Sequence, residues 1–303
     1  MSTRALPTTF RRWRVYALAM LVCFLWGSSF VLTKVALQEL GPMTVAFGRW
    51  ALAGLAFLVY IPLAGFAGEV RRALRADLGA FLVLGFIGIS LFYALQNLGL
   101  QYSTAVNVGW VINLTTVFIA VLGVWWLGER LTPIQVIGIV VAFAGVTLIS
   151  WRGGEIRLGV ATWRGDLLTV LAALCAAIYT VYGKRVVALY SPAVVTALAS
   201  LFGSLFLGPI ALWEGWPSSL SSVTMGALVV LGLGSGALAN LWWWRVLSEI
   251  DAARAGTYLL AIPLVSTALG VSFLGEPFTV SAAMGALLVL AGLGLTQSRP
   301  QDG

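Results

Sequence analysis

The feature that most constrains this chain is that its first half recurs in its second half after an odd number of apolar stretches. Gly128-Glu129-Arg130-Leu131-Thr132 opens one apolar run, and Gly275-Glu276-Pro277-Phe278-Thr279 opens another 147 residues later. At the same offset Gly109 meets Gly256, Gly138 meets Gly285 and Gly145 meets Gly292. Nearer the start of each half the offset is 150, where Lys34 meets Lys184 and Pro42 meets Pro192. A few insertions or deletions account for the change. Each copy holds about five apolar spans of membrane length. An odd number makes the second copy enter a bilayer from the opposite face, so the expected fold is two inverted repeats, 1–151 and 152–303, sharing one interface.

The solvent of that fold is lipid. The 303 residues are 60% hydrophobic and 10% charged, with no histidine, whereas soluble domains run near half apolar and a quarter charged. A span needs roughly 17–25 apolar residues. Ten stretches qualify, at about 14–37, 43–65, 78–99, 104–127, 133–151, 166–189, 192–213, 222–247, 253–274 and 280–296. They leave no room for a separate soluble domain. Pro42, Pro133 and Pro192 stand in first turns, where a missing N–H costs least, and Thr132 reads as an N-cap.

The net charge of +7 does not indicate nucleic acid, because the basic residues sit in the gaps between spans, as membrane topology requires. With the N-terminus inside, thirteen of the 18 Lys and Arg fall in cytoplasmic segments and five outside: Lys34, Arg49, Arg152, Arg157 and Arg164. Both termini are therefore expected inside, in a bacterial-type inner membrane. Arg11-Arg12 before an apolar run resembles a twin-arginine signal, but no small-residue cleavage site follows, which favours a retained first helix. Cys23 and Cys175 fall in mid-span, so neither a disulfide framework nor a metal site is expected, and no cofactor.

Two five-span repeats, each closing with Gly-Glu-x-x-Thr and a glycine-spaced last helix, resemble the EamA-type members of the drug/metabolite transporter superfamily. The Trp26-Gly27-Ser28-Ser29-Phe30 run in the first helix is similar to theirs as well. The length and aromatic load look most similar to the aromatic amino-acid exporter type. That resemblance implies an all-α fold of ten transmembrane helices around a central cavity, lined mainly by helices 1, 3, 4, 6, 8 and 9, with helices 5 and 10 outside. It also implies export of a small-molecule cargo by alternating access.

Helical spacing gives the candidate lining. One side of helix 1 carries Trp26, Ser29 and Thr33; helix 3 carries Tyr93, Gln96 and Asn97; helix 4 carries Asn107, Trp110 and Asn113. Helix 6 offers Tyr179 and Tyr182, helix 8 Ser235, Asn240 and Trp243, and helix 9 Tyr258. Amide and hydroxyl groups facing lipid would be unsatisfied, so these faces turn to protein or water. There they suit the ammonium and carboxylate of a zwitterion, while the rings hold an apolar or aromatic side chain. The bland alternative for each amide is an interhelical hydrogen bond with no ligand, and for Trp26 it is packing. Trp125, Trp126, Trp151, Trp163, Trp213 and Trp216 lie at span ends and read as an interfacial belt.

Glycines 232, 234 and 236 weaken helix 8 at mid-depth, and Pro263 interrupts helix 9; such breaks expose carbonyls or act as hinges, while the alternative and commoner role of glycine in membranes is to let helices approach closely. Gly138, Ala142 and Gly145 read as a packing seam. Glu129 and Glu276 are expected to complement the dipoles of the helices they precede. No Asp, Glu or His lies in mid-span, which disfavours a proton-coupled pump and favours facilitated transport down a gradient. Lys34, Arg49 and Lys184 lie near span ends and could bind phosphate, but snorkelling to the headgroups is the cheaper reading, and the absence of basic residues from the candidate lining disfavours a phosphorylated cargo. The main rival from another class, an integral-membrane enzyme, lacks histidine, the commonest catalytic partner. Other small metabolites or drug-like cations stay open as alternative cargo, as do monomer and homodimer.

Overall fold

The structure is a computed structural model that describes residues 8–102, 108, 111–150, 163–274 and 280–297. Every regular element among them is helical. In chain order they are α1 (Thr8–Ala36), α2 (Pro42–Leu63), the short α3 (Ala67–Ala76), α4 (Leu78–Gly85) and α5 (Phe92–Tyr102). Then come α6 (Leu114–Leu127), α7 (Pro133–Ser150), α8 (Trp163–Val187) and α9 (Pro192–Glu214). The last are α10 (Ser222–Val229), α11 (Ala239–Leu247), α12 (Ala252–Tyr258), α13 (Ile262–Leu274) and α14 (Val280–Gln297). Three junctions are continuous rather than looped. A π-helical segment, Phe86–Leu91, joins α4 to α5; another, Val230–Leu238, joins α10 to α11; a 3₁₀ turn, Leu259–Ala261, joins α12 to α13 just before Pro263.

Among the described residues six helical stretches are long and apolar enough to cross a membrane: Trp13–Thr33, Pro42–Leu63, Leu78–Gly99, Trp163–Val187, Pro192–Glu214 and Ser222–Leu247. Four shorter apolar helices accompany them: Leu114–Leu127, Pro133–Leu148, Ala252–Val265 and Ala283–Thr296. The chain is thus a multi-pass, all-helical membrane protein.

Local chemistry sets the helix starts. Gly41 and Ser191 are extended, followed by Pro42 and Pro192 in the first turn, where the fixed φ of proline is already helical. Ser191 and Ser221 accept hydrogen bonds from Val194 N and Thr224 N at 3.4 and 3.2 Å. Thr132 forms a capping box at α7: its N–H donates to Gln135 Oε1 at 2.9 Å, and Gln135 N donates to Thr132 Oγ1 at 3.4 Å. Gly128 ends α6 in the left-handed region, φ 69°, which a side chain would strain.

Other helix starts are capped from a distance. Glu214, at the end of α9, accepts from Thr44 N and Thr44 Oγ1 in the first turn of α2 at 2.7 and 2.8 Å. Reciprocally, Glu69 of α3 accepts from Ser191 N at the start of α9. Glu39 accepts from Ser221 N and from Thr224 Oγ1, both at 2.9 Å, and from Ser221 Oγ at the start of α10; these bonds hold its carboxyl below the usual carboxylate range. Glu129 corrects the expectation that it serves the helix following it. Its carboxylate accepts from Ala252 N and Ala253 N at 2.7 and 3.0 Å, capping α12, and pairs with Lys184 at 2.7 Å. Lys184, with Asp251 a further 3.5 Å partner, is therefore held in a network rather than snorkelling. Glu276 lies outside the described residues.

The main packing pairs cross between the halves: α2 with α9, α7 with α14, α5 and α6 with α8, and α1 with α13. At the α7–α14 crossing the backbones touch. A Cβ on Gly138 would lie 2.8 Å from Gly292 O, and one on Gly145 would lie 2.6 Å from Gly285 O. Only glycine permits that approach. Gly145→Ala should therefore cost about 1–3 kcal/mol, the range for overpacking, and lower the melting temperature of the detergent-solubilised protein. Gly226→Ala, where nothing lies within 4 Å, should leave melting unchanged or slightly raised; equal effects would contradict the backbone contact.

Candidate functional site

The helix through α10 and α11 changes pitch where its glycines cluster. Gly232, Gly234 and Gly236 flank Ser235 inside the π-helical segment, and the wider turn leaves carbonyls for side chains. Trp26 Nε1 on α1 donates to Ser235 O at 3.1 Å. Asn240 Nδ2 donates to Ser235 O at 3.1 Å and to Gly236 O at 2.9 Å. Tyr179 OH on α8 donates to Asn240 Oδ1 at 3.4 Å. The rings close around this network: Trp26 and Trp243 have centroids 5.5 Å apart, and Tyr179 and Trp244 4.7 Å. The opposite π-helical segment supplies the other wall, since Gly88 lies directly under the Tyr179 ring. Ser90 Oγ there donates to Gly203 O of α9 at 2.8 Å.

Trp26, Tyr179, Ser235, Asn240 and Trp243 are thus brought together as one cluster. Tyr93 stands in a second group, its ring 5.7 Å from Trp50 and 4.8 Å from Phe92. Other candidates are occupied with the fold. Ser29 Oγ donates back to Trp26 O at 2.7 Å. Asn97 Nδ2 donates to Pro42 O at 2.9 Å, pinning α5 to the start of α2. Tyr258 sits apart, 6.3 Å from Tyr16, with Cys23 Sγ donating to its carbonyl at 3.0 Å. Asn113 is buried in the turn before α6, while Thr33, Gln96 and Tyr182 are half-buried. Asn107 and Trp110 lie outside the described residues. Trp125, Trp126, Trp163, Trp213 and Trp216 are exposed, as a belt requires; Trp151 is not among the described residues.

Arg49 overturns its own expectation. It stands seven residues after Pro42, roughly 10 Å down the helix, and is only 5% exposed. Its guanidinium lies over Tyr93 and Trp50, 5.1 and 5.6 Å from their centroids. Burying an ion costs several kcal/mol, and two ring contacts return about 0.5–2 kcal/mol each; the rings alone do not offset the charge. The inference that the region lacks basic residues, and with it the argument drawn from that lack against a phosphorylated cargo, falls. Measuring Arg49 from the Pro42 helix start would have placed it below the interface; counting it as near the span end hid it.

Apolar helices of this length, with two widened at mid-course around buried aromatic and amide groups, are a build that suits a membrane transporter. The sequence profile of the EamA-like transporter family matches residues 13–151 and again 163–297, and the chain belongs to that family. An uncharacterized transporter of Archaeoglobus fulgidus is 34% identical, over 93% of this chain and 97% of the relative. A probable terminal-alkyne amino-acid exporter of Streptantibioticus cattleyicolor is 29% identical, over 94% and 93%. A probable amino-acid metabolite efflux pump of Escherichia coli is 27% identical, over 91% and 92%. One crystal structure superposes with a TM-score of 0.83 at 20% identity, covering 94% of this chain and 96% of that chain, and shows the fold alone.

The network predicts unequal costs. Asn240→Leu removes the amide bonds to Ser235 O and Gly236 O and leaves the Tyr179 hydroxyl without its acceptor, and should cost roughly 1–3 kcal/mol, whereas Tyr179→Phe removes one long hydrogen bond and should cost under about 1 kcal/mol. Thermal melting in detergent distinguishes them; a larger loss for Tyr179→Phe would contradict the network.

Proposed function

We propose that this chain exports amino acids, aromatic and other neutral ones, across a bacterial-type inner membrane by alternating access. In this reading ten helices form two inverted five-helix repeats, 1–151 and 152–303, with both termini cytoplasmic. The α7–α14 contact supports the inversion. Gly138 faces Gly292 while Gly145 faces Gly285, and by the 147-residue offset these are equivalent contacts exchanged between copies, the signature of a two-fold relation. The order of the pairs makes the helices antiparallel, so the axis lies across them, in the membrane plane.

The observation that carries the cargo reading is the Trp26–Trp243 wall on the Ser235 carbonyl. Binding at a repeat interface beside a broken helix is a recurring transporter design, and aromatic walls bind through area and shape, which gives breadth. The names of two relatives, a probable terminal-alkyne amino-acid exporter and a probable amino-acid metabolite efflux pump, point the same way. The caps formed by Glu39, Glu69, Glu129 and Glu214 place these acids at helix ends, away from mid-membrane, so we assign facilitated transport rather than proton coupling, and no catalytic chemistry.

Counterflow in proteoliposomes with amino acids, nucleotide sugars and organic cations tests the reading. Amino-acid exchange should proceed without a pH gradient. Trp26→Ala should slow aromatic cargo about tenfold or more, equivalent to roughly 1.4 kcal/mol, and small cargo less; Trp213→Ala, 89% exposed, should change neither. Exchange of organic cations alone would overturn the cargo assignment, and flux that stops when only the pH gradient is collapsed would overturn the mechanism. A C-terminal reporter should be active in the cytoplasm; activity confined to the periplasm would overturn the topology.

A further inference from the structure

We infer that Arg49 is the anion-binding group of the transport site and that the cargo must present a carboxylate to it, an inference that rests on the transport reading above. Arg49 is 5% exposed, makes no hydrogen bond or ion pair with any described residue, and its buried Nε has no acceptor. The next residue repeats the deficit, because the buried Trp50 Nε1 also lacks an acceptor. Buried donors are ordinarily satisfied, and here two of them, one cationic, sit on side chains that touch. What would complete the group is an anionic acceptor.

Its position ties it to the candidate site. Gly236 follows Ser235, whose carbonyl holds Trp26, and a Cβ built on Gly236 would lie 3.6 Å from Arg49 Cγ. The guanidinium is therefore mounted beside the same π-helical segment as the Trp26–Trp243 wall, with Tyr93 and Trp50 as its own aromatic flank. Glu39, Glu69, Glu129 and Glu214 are committed to helix starts and do not reach it. A planar fork of donors matches a carboxylate two bonds at a time, and the rings accept the apolar remainder of an amino acid. One guanidinium neutralises one negative charge, which suits a carboxylate better than a dianionic phosphate. It repels cargo that carries only an amine.

The test pairs transport with direct binding. In proteoliposomes, parent protein should exchange phenylalanine, with phenylalaninamide and phenethylamine competing at least tenfold more weakly. Arg49→Met leaves no partner unpaired, so it should melt at or above the parent temperature yet lose phenylalanine exchange at least tenfold. Arg49→Lys keeps the charge without the fork and should raise the KM at least tenfold while folding normally; it decides the matter should the Met variant not fold. In detergent, 3-phenylpropionate should raise the melting temperature of the parent and not of Arg49→Met. A folded Arg49→Met exchanging phenylalanine at the parent rate, equal competition by the amide, or no stabilisation of the parent by 3-phenylpropionate would overturn the inference. If no amino acid is exchanged but 3-phenylpropionate stabilises only the parent, the cargo reading fails and the Arg49 site stands.

Discussion

Hydrocarbon offers no hydrogen bonds, so the unpaired groups of a helix end must either reach the membrane face or be satisfied by the chain itself, and this chain caps several of its helix starts with its own carboxylates. Most of the architecture follows from how that is done. Glu214 caps α2, Glu69 caps α9, Glu39 caps α10 and Glu129 caps α12. Each carboxylate meets the positive end of a helix dipole while binding together segments far apart in the chain. These acids therefore stand at helix starts, and among the described residues the polar groups buried between helices include amides, hydroxyls, indoles and the Arg49 guanidinium.

The same requirement explains the candidate site. A helical carbonyl keeps a second lone pair, and a widened turn opens it to side chains on neighbouring elements. The π-helical segment around Ser235 does so, and Trp26 and Asn240 take up its carbonyls from neighbouring positions. Its counterpart at Phe86–Leu91 is matched by a hydroxyl, Ser90, bonding across to α9. Both irregular segments stand where helices from the two halves meet. A change of pitch there alters contacts on both sides at once, which is the property a rocking transporter needs.

Much of this was legible in the sequence because it depends on composition, spacing and backbone rules. The apolar stretches, the prolines of first turns, the Thr132 cap, the glycine seam at Gly138 and Gly145 and the glycine break around Ser235 all follow from one-dimensional pattern. Helical spacing chose the faces of Trp26, Tyr179, Asn240 and Trp243, while the family resemblance supplied the helices to be grouped; in the structure these residues meet. Tertiary partners were not legible. Asn97 shared the Tyr93 stripe but its amide is used by Pro42 O, and Tyr258, the single candidate on helix 9, packs on Tyr16. Glu129 is sequence-adjacent to one helix and caps another. Arg49 was misplaced because residue type suggested an interface position, while the helix start at Pro42 places it deep against two rings.

The central claim is that cargo sits where the aromatic cluster meets the irregular turn of the α10–α11 helix. A structure determined with a transported amino acid bound tests it most directly. The account predicts ligand density between Trp26 and Trp243 on one side and Tyr93 on the other, with the carboxylate toward Arg49. Density beside Tyr16 and Tyr258, with the Trp26–Ser235 bond and the Arg49 surroundings unchanged, would contradict it.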